Sequence, residues 1–313
     1  MTPNLSRHPN QTIDQISPSW TIFRPKGADF FQLTKPRLTS LILLTMIAGY
    51  YLGSRGNLFS LLFFHALIGT ALTVGGASAI NMFLERHLDR LMERTKNRPI
   101  PAARLLPVDA LVFSIGISLF GLIYLALLVN LLTAFLSALS AAVYLFIYTP
   151  LKMRSPLCTY VGTIPGAIPP MLGWAAATNH LSREAWILYA ILTFWQMPHF
   201  LAIGSLYRDE YAKAGFKVLP AVDAEGRRTK RQMLLFCMGL IPVSLISTWY
   251  EFTGPFYSAV ALYMGTIYLF SAVLFAVFPE RIYAKRIFVI SLIYLPMVLL
   301  AMVIDRVHLG GGF

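Results

Sequence analysis

Charge is what this 313-residue chain has least of: Asp, Glu, Lys and Arg together make up 13% of it, where soluble domains carry about a quarter. So few ionic groups cannot cover a water-facing surface of this size. That argues against a soluble globular enzyme, a disordered chain and a nucleic-acid-binding protein. Cysteine is rarer still. Cys158 and Cys237 are the only two, which leaves no disulfide framework and no paired CxxC metal signature, so both read as reduced structural thiols. Acids are outnumbered, 14 Asp and Glu against 26 Lys and Arg, giving a net charge of +12. The first 37 residues are polar and hold no apolar stretch ending in a small-residue cleavage site, so no removable signal peptide is expected there. What fills the chain instead is apolar: 57% hydrophobic residues and a mean hydropathy of +0.63. The composition is that of a polytopic membrane protein, with the basic excess gathered on one membrane face.

A helix needs about 20 apolar residues to cross the hydrocarbon core. Nine stretches qualify: 38–54, 58–82, 108–129, 131–148, 159–176, 184–206, 232–249, 254–278 and 286–303. The third and fourth part only near Asn130, and their combined length predicts a tight helical hairpin. The charges test this count. With nine spans, 23 Lys and Arg fall on the side of the N-terminus and three, Arg55, Arg183 and Arg306, on the other. This asymmetry predicts an N-terminus and even-numbered loops in the cytoplasm. The fold expected is all-α: a polytopic bundle of nine transmembrane helices. It has a cytoplasmic arm over 1–37, one transmembrane domain over 38–305 and a short tail over 306–313.

The second stretch runs directly into a charged segment. Asn81, Glu85 and Asp89 stand at i, i+4 and i+8, one face of a helix at the membrane boundary. Three oxygen ligands in one stripe suit Mg²⁺, which takes one or two carboxylates and completes its shell with substrate phosphates. Arg86, Arg90, Arg94, Lys96 and Arg98 follow, and a metal with arginines is a common means of stabilising a leaving diphosphate. The plainer alternative is a charged helix end, with Glu85 and Asp89 paired to neighbours such as Arg86 and Arg90. Just upstream, Gly75, Gly76, Ala77 and Ser78 remove bulk, either for close helix packing or for a substrate.

The sixth stretch ends in a second constellation: Phe194, Trp195, Gln196, Pro198, His199 and Phe200, then Asp209, Glu210, Tyr211 and Lys213. Asp209 and Glu210 lie at the same boundary as the first motif, and two acidic clusters at equal depth can meet on one polyphosphate through metal. Pro198 should kink the helix and turn Gln196 and His199 toward a cavity. A polar residue at membrane depth is a functional candidate, so His199 could ligate a metal or orient a substrate. His65 has no such company and reads as packed or hydrogen-bonded. Between the constellations, Tyr148, Thr149, Pro150 and Lys152 lead to Pro165, Gly166, Pro169, Pro170, Gly173 and Trp174. Lys152 is placed to reach the same face. The fifth span should be bent or broken, which is tolerated where neighbours or a cavity satisfy the backbone.

Together these residues resemble the UbiA superfamily of intramembrane prenyltransferases, over roughly residues 30–305. Asn81, Glu85 and Asp89 match its first acidic motif, with Glu85 where the motif carries Asp. Arg94, Thr95, Arg98 and Pro99 match the tail of that motif. The blocks Tyr148–Lys152, Gly166–Trp174, Phe194–Phe200 and Asp209–Gly215 look like the heme O synthase branch, with Asp209-Glu210 as the second acidic pair. The resemblance implies transfer of a farnesyl group from farnesyl diphosphate to a vinyl group of heme B, giving heme O. It implies Mg²⁺ on Asn81, Glu85, Asp89, Asp209 and Glu210, diphosphate on Arg94, Arg98, Lys152 and Lys213, and heme positioned by His199. It further implies a bacterial inner membrane with the site facing the cytoplasm, and association with heme A synthase or terminal-oxidase assembly. A sister activity on an aromatic or quinone-precursor acceptor is the first rival, and the blocks around Trp195–Phe200 and Pro165–Trp174 speak against it. A transporter is the second. It would want polar residues near mid-membrane, whereas here the acids lie at one face.

Overall fold

The computed structural model describes residues 26–306, so residues 1–25 of the expected arm and 307–313 of the expected tail lie outside them. The described residues are almost wholly helical. In chain order the helices are α1 (Lys26–Leu33), α2 (Pro36–Gly53), α3 (Leu61–Leu84), α4 (Arg86–Asp89), α5 (Pro107–Leu128), α6 (Leu131–Ala142) and α7 (Thr149–Leu151). They continue with α8 (Cys158–Thr178), α9 (Arg183–Leu206), α10 (Arg208–Lys213), α11 (Leu219–Val222), α12 (Arg227–Trp249), α13 (Pro255–Val277) and α14 (Arg281–Ile304). A π-helical turn, Val143–Tyr148, joins α6 to α7 and makes one rod of Leu131–Leu151.

Local chemistry sets the boundaries. Ser60 opens α3 by accepting a hydrogen bond from the Phe63 amide, and Asn130 opens α6 by accepting one from Thr133. Asn130 is extended and separates α5 from α6, so the expected hairpin forms where it was placed. Proline stands in the first turn of α2, α5 and α13, where its missing N–H costs nothing.

Among the described residues seven helices are long and apolar enough to cross a membrane: Leu61–Leu84, Pro107–Leu128, Leu131–Leu151, Arg183–Leu206, Arg227–Trp249, Pro255–Val277 and Arg281–Ile304. This differs from the nine expected. The two remaining helices, α2 and α8, coincide in position with the first and fifth stretches but are less apolar. α8 explains the difference physically. It packs against α2, α6 and α9, and most of its side chains are buried by protein, so lipid does not dictate its composition. Of the bent or broken span expected there, the break does not occur: α8 runs unbroken through Pro165, Pro169 and Pro170. α2 closes on it at backbone distance. A Cβ on Gly173 would overlap the Met46 carbonyl, and one on Gly49 would overlap the Pro170 carbonyl. Small residues permit such approach inside membranes, where close packing drives helix association.

α3 and α5 meet in the same way. A Cβ on Gly76 would strike Ser118, and one on Gly121 would strike Thr73. The largest buried cluster lies on the far side of the bundle, among α8, α9, α12, α13 and α14, and includes Tyr257, Tyr268 and Tyr294. Outward-facing positions carry apolar side chains such as Leu127, Leu131, Phe135 and Phe146. They replace the charge a soluble surface would need.

At one end of the bundle the connecting segments converge. α1 buries Leu33 and packs Phe30 against Ile100, Leu105 and Phe113. Each fully buried Leu or Ile there stabilises by roughly 1.5–3 kcal/mol. Arg104 ties α1 to the 90–106 segment by donating to Asp29 Oδ1 and Gln32 Oε1, both at 2.8 Å. Met92 packs on Ala214 and Phe216. The Lys217 amide donates to the Lys152 carbonyl at 2.6 Å. Residues far apart in sequence are thus pinned around one opening.

Candidate active site

The opening leads into a cavity of about 500 Å³. Its polar end is built from three successive turns. Asn81 is in the last turn of α3, Glu85 caps that helix, and Asp89 ends α4. The chain deviates at Glu85, yet the i to i+4 hydrogen bonds Glu85 N to Asn81 O and Asp89 N to Glu85 O persist, both 2.9 Å. The expected single face therefore survives. The three side chains are 1%, 6% and 3% exposed, and all line the cavity.

Each oxygen ligand faces a cation. Lys35 Nζ donates to Asn81 Oδ1 at 2.9 Å, Lys152 Nζ to Glu85 Oε1 at 2.7 Å, and Arg98 Nη1 to both Asp89 oxygens at 2.9 and 2.7 Å. Pairing with Arg86 and Arg90, the plainer reading, does not occur. Arg86 donates instead to the Phe83 carbonyl. Burial pushes the Glu85 carboxyl up, but the Lys152 ammonium and its hydrogen bond outweigh that and hold it below the usual carboxylate range. Burial lowers Lys152, and Glu85 more than restores it, so it stays protonated well above the usual range. Lys35 is pushed down to about 7, first by burial and then by Arg98.

Asn81 Nδ2 donates to Thr149 Oγ1 at 3.1 Å, which couples α3 to the end of the Leu131–Leu151 rod. Tyr144 and Tyr148, one turn apart on that rod, stack with centroids 5.7 Å apart, and the Lys152 ammonium lies 4.6 Å from the Tyr148 ring centroid. Arg94 lies over Tyr207 and donates to the Tyr211 hydroxyl at 3.2 Å. Below this charged rim the walls turn apolar with Leu38, Ile42, Val74, Ala77, Pro169 and Leu172. The cavity is thus cationic and oxygen-rich at its mouth and oily within. Such a shape suits a polyphosphate joined to a hydrocarbon.

Six of the expected site residues meet in this wall: Asn81, Glu85, Asp89, Arg94, Arg98 and Lys152. Asp209, Glu210, Lys213 and His199 do not line it. Asp209 and Lys213 point outward on α10, and Glu210 reaches the rim through a 3.4 Å hydrogen bond from the Arg94 amide. His199 was expected to turn toward a cavity. It is instead held between α9 and α14, with Nδ1 2.7 Å from Ser291 Oγ and its ring stacked on Trp195, while Phe200 beside it lines the cavity. Gly76 packs on α5, but Ala77 and Ser78 line the cavity, so the small-residue run serves both purposes. His65 is hydrogen-bonded as expected, its Nδ1 2.7 Å from the Tyr124 hydroxyl. Sequence reasoning did not single out Lys35, Tyr144 or Phe216. The four-residue spacing of Tyr144, Tyr148 and Lys152 at a span end could have found the tyrosine, and a lysine directly before the first span could have found Lys35.

Cavity and motif are matched by kinship. The family model described as the UbiA prenyltransferase family matches residues 42–302. The chain belongs to this family. Relatives 38–43% identical over most of the chain bear the name protoheme IX farnesyltransferase. That of Solibacter usitatus is 43% identical over 78% of this chain and 87% of its own length. Among UbiA-like solved structures, that of a digeranylgeranylglyceryl phosphate synthase aligns with TM-score 0.77 at 16% identity, covering 90% of this chain and 98% of its own. A UbiA homolog from Archaeoglobus fulgidus bound to GPP and Mg2+ aligns with TM-score 0.64 at 14% identity, over 88% of this chain and 99% of its own. At these identities the structures establish the fold.

Proposed function

We propose that this UbiA-family chain transfers the farnesyl group of farnesyl diphosphate to a vinyl group of heme B, giving heme O and releasing diphosphate. The observation that carries this is the 43% identity to a protoheme IX farnesyltransferase across nearly four fifths of the chain. The cavity supports it, because one substrate is a charged diphosphate with an apolar tail and the other a flat apolar macrocycle. Both dissolve in the bilayer, and both can reach a site that opens at the membrane boundary.

The donor set fits Mg²⁺. Two carboxylates and an amide oxygen, all hard and nearly fully buried, lie on one wall, and a homolog of the same fold was solved with GPP and Mg2+. Asn81, Glu85 and Asp89 would hold the ion, with Asp209 and Glu210 carried over as further ligands from outside the cavity wall. When bound, the ion supplies charge neutralisation to the leaving diphosphate.

The chain's own residues do the rest. Lys152 and Arg98 give up Glu85 and Asp89 to receive phosphate oxygens, so the diphosphate meets cations already desolvated and in position. Arg94 extends the cationic rim, and Lys213 is the outermost of the expected diphosphate contacts. Tyr144 and Tyr148 offer ring faces to the positive charge that develops on the farnesyl carbon. The apolar walls keep bulk water from capturing that carbon early. The heme role of His199 remains a proposal from resemblance, since its ring does not line the cavity. The 23 to 3 distribution of basic residues supports a site facing the cytoplasm of a bacterial inner membrane. The match over 42–302 supports one transmembrane unit over 38–305. Delivery of heme O to heme A synthase or to terminal-oxidase assembly completes the proposal.

The test is direct. Purified protein receives labelled farnesyl diphosphate with heme B or with 4-hydroxybenzoate, and pigments are extracted and weighed by mass spectrometry. Heme O in the first arm alone is the expected result. Prenylated 4-hydroxybenzoate without heme O would move the chain to the aromatic branch, and flux of substrate into liposomes without diphosphate release would make it a transporter.

A further inference from the structure

We infer that Ser78 and Tyr144 hold the one water molecule that adds to the prenylated vinyl group. This rests on the farnesyl-transfer reading above. Attaching a farnesyl group to a vinyl carbon leaves the neighbouring carbon cationic, and heme O carries a hydroxyl there. A site that excludes bulk water must therefore keep one water at a fixed place.

Ser78 is 3% exposed and lines the cavity, and its hydroxyl makes no hydrogen bond among the described residues. Buried hydroxyls without a partner also occur at Thr70, Ser118 and Thr133, but none of those three lines the cavity. Thr73, Ser114, Ser205 and Ser271 all return their hydroxyls to the carbonyl four residues earlier, at 2.7–2.9 Å. A buried hydroxyl that does not take that option and faces a hollow is open to a ligand. Tyr144 also lines the cavity, and its hydroxyl makes no hydrogen bond among the described residues.

Depth makes these two the relevant pair. Ser78 precedes Asn81 by three residues, which sets it about 4.5 Å deeper than that end of the site. Tyr144 lies one π-helical turn before Thr149, the hydrogen-bond partner of Asn81, and so also sits deeper than that end of the site. The reacting carbons must lie there too. The farnesyl carbon that is attacked bears the diphosphate, and the cationic carbon is two bonds beyond it. A bound water needs two to four polar partners, and two hydroxyls from α3 and the Leu131–Leu151 rod meet that need.

The step balances. The vinyl electron pair forms the new C–C bond as the C–O bond to diphosphate breaks, its electrons leaving with the diphosphate. The water oxygen bonds to the cationic vinyl carbon, and the water's proton passes to the departing diphosphate. If no water is held there, the cation loses a proton from the adjacent CH₂ and the product is an alkene, lighter than heme O by one water.

Ser78→Ala and Tyr144→Phe each remove one hydroxyl and keep the packing. We expect both to go on consuming farnesyl diphosphate while the alkene share rises about tenfold, the effect of one hydrogen bond on a partition ratio. Ser137→Ala is the depth control. Ser137 also lines the cavity and leaves its hydroxyl unbonded among the described residues, but it stands about 10 Å deeper than Tyr144 on the same rod, and its removal should leave the alkene share unchanged. Heme O at the wild-type share of products from both Ser78→Ala and Tyr144→Phe overturns the inference. So does an alkene share that rises equally in Ser137→Ala. If Ser78→Ala makes no prenylated heme, Tyr144→Phe alone decides. Absence of heme O from the wild type would instead refute the farnesyl-transfer reading.

Discussion

The bundle holds two buried polar regions built on different terms. Among α9, α12, α13 and α14 the partners are neutral. Ser244 Oγ and the Tyr294 hydroxyl are 2.8 Å apart, Tyr257 donates to the Ser244 carbonyl at 3.0 Å, and Trp195 Nε1 donates to the Ser291 carbonyl at 2.8 Å. At the mouth of the cavity the partners are charged, and they surround a void of about 500 Å³. Neutral hydrogen bonds within a packed cluster stabilise the packing. Buried ion pairs cost much of their attraction in desolvation, so they are weak evidence for stability. Around an open cavity they are better understood as groups waiting to exchange partners. Substitutions in the first region should therefore lower stability, and substitutions in the second should lower turnover.

The largest expected effect is at Asp89. Asp89→Ala removes a carboxylate that is 3% exposed and paired with Arg98. We expect kcat to fall by about 10²–10³, the usual consequence of removing one group that stabilises developing charge. Heme O formed per minute by purified protein is the measure, with detergent-phase elution checking that the variant is folded. Near-normal turnover would take Asp89 out of the site and erase the contrast between the two regions.

A change outside both regions should act on stability alone. Gly173→Ala drives a Cβ into the Met46 carbonyl, with no flexible side chain able to yield. Separating α2 from α8 should cost about 3 kcal/mol, the upper end for overpacking in a close-packed interior. Thermal unfolding in detergent reads this directly. An unchanged melting temperature would mean that the two helices do not need their backbone contact.

How far the sequence foretold these regions follows from the kind of signal each leaves. Asn81, Glu85 and Asp89 were legible because a four-residue spacing maps directly onto one face of a helix, and the hairpin at Asn130 was legible because a good N-cap interrupts an apolar run. The span count was less so. α8 is shielded by protein, and apolar composition reports contact with lipid rather than depth in the membrane. Lys35 was invisible because it reaches Asn81 across 46 residues, and no local pattern encodes that contact. His199 was expected to face a cavity because Pro198 precedes it, yet α9 runs on through that proline and the His199 ring does not line the cavity described above. Tertiary pairing with Ser291, a partner 92 residues away, decided its direction.

The next effect in size tests whether the charged mouth depends on its strap. Asp29 is 3% exposed, and Arg104 binds it from the segment that also carries Arg94 and Arg98. Asp29→Asn keeps the shape and removes the charge, so that segment should loosen. The KM for farnesyl diphosphate should rise about tenfold, equivalent to the loss of one charged hydrogen bond, with the KM for heme B unchanged. Steady-state kinetics with each substrate varied in turn checks this. Equal rises in both constants would show that α1 supports the whole cavity rather than its phosphate end.

The smallest effect belongs to the neutral region and sharpens the contrast most. Ser291→Ala leaves the half-buried His199 ring without its hydroxyl partner 2.7 Å away. The expected loss is about 1 kcal/mol of stability, typical for a single buried neutral hydrogen bond. Because His199 does not line the cavity, both KM values should stay at wild type while the melting temperature falls. The opposite result, unchanged stability with a selective rise in the KM for heme B, would mean that Ser291 orients His199 toward the porphyrin. The two polar regions would then be parts of a single site, joined through α9, because Phe200 beside His199 already faces the cavity.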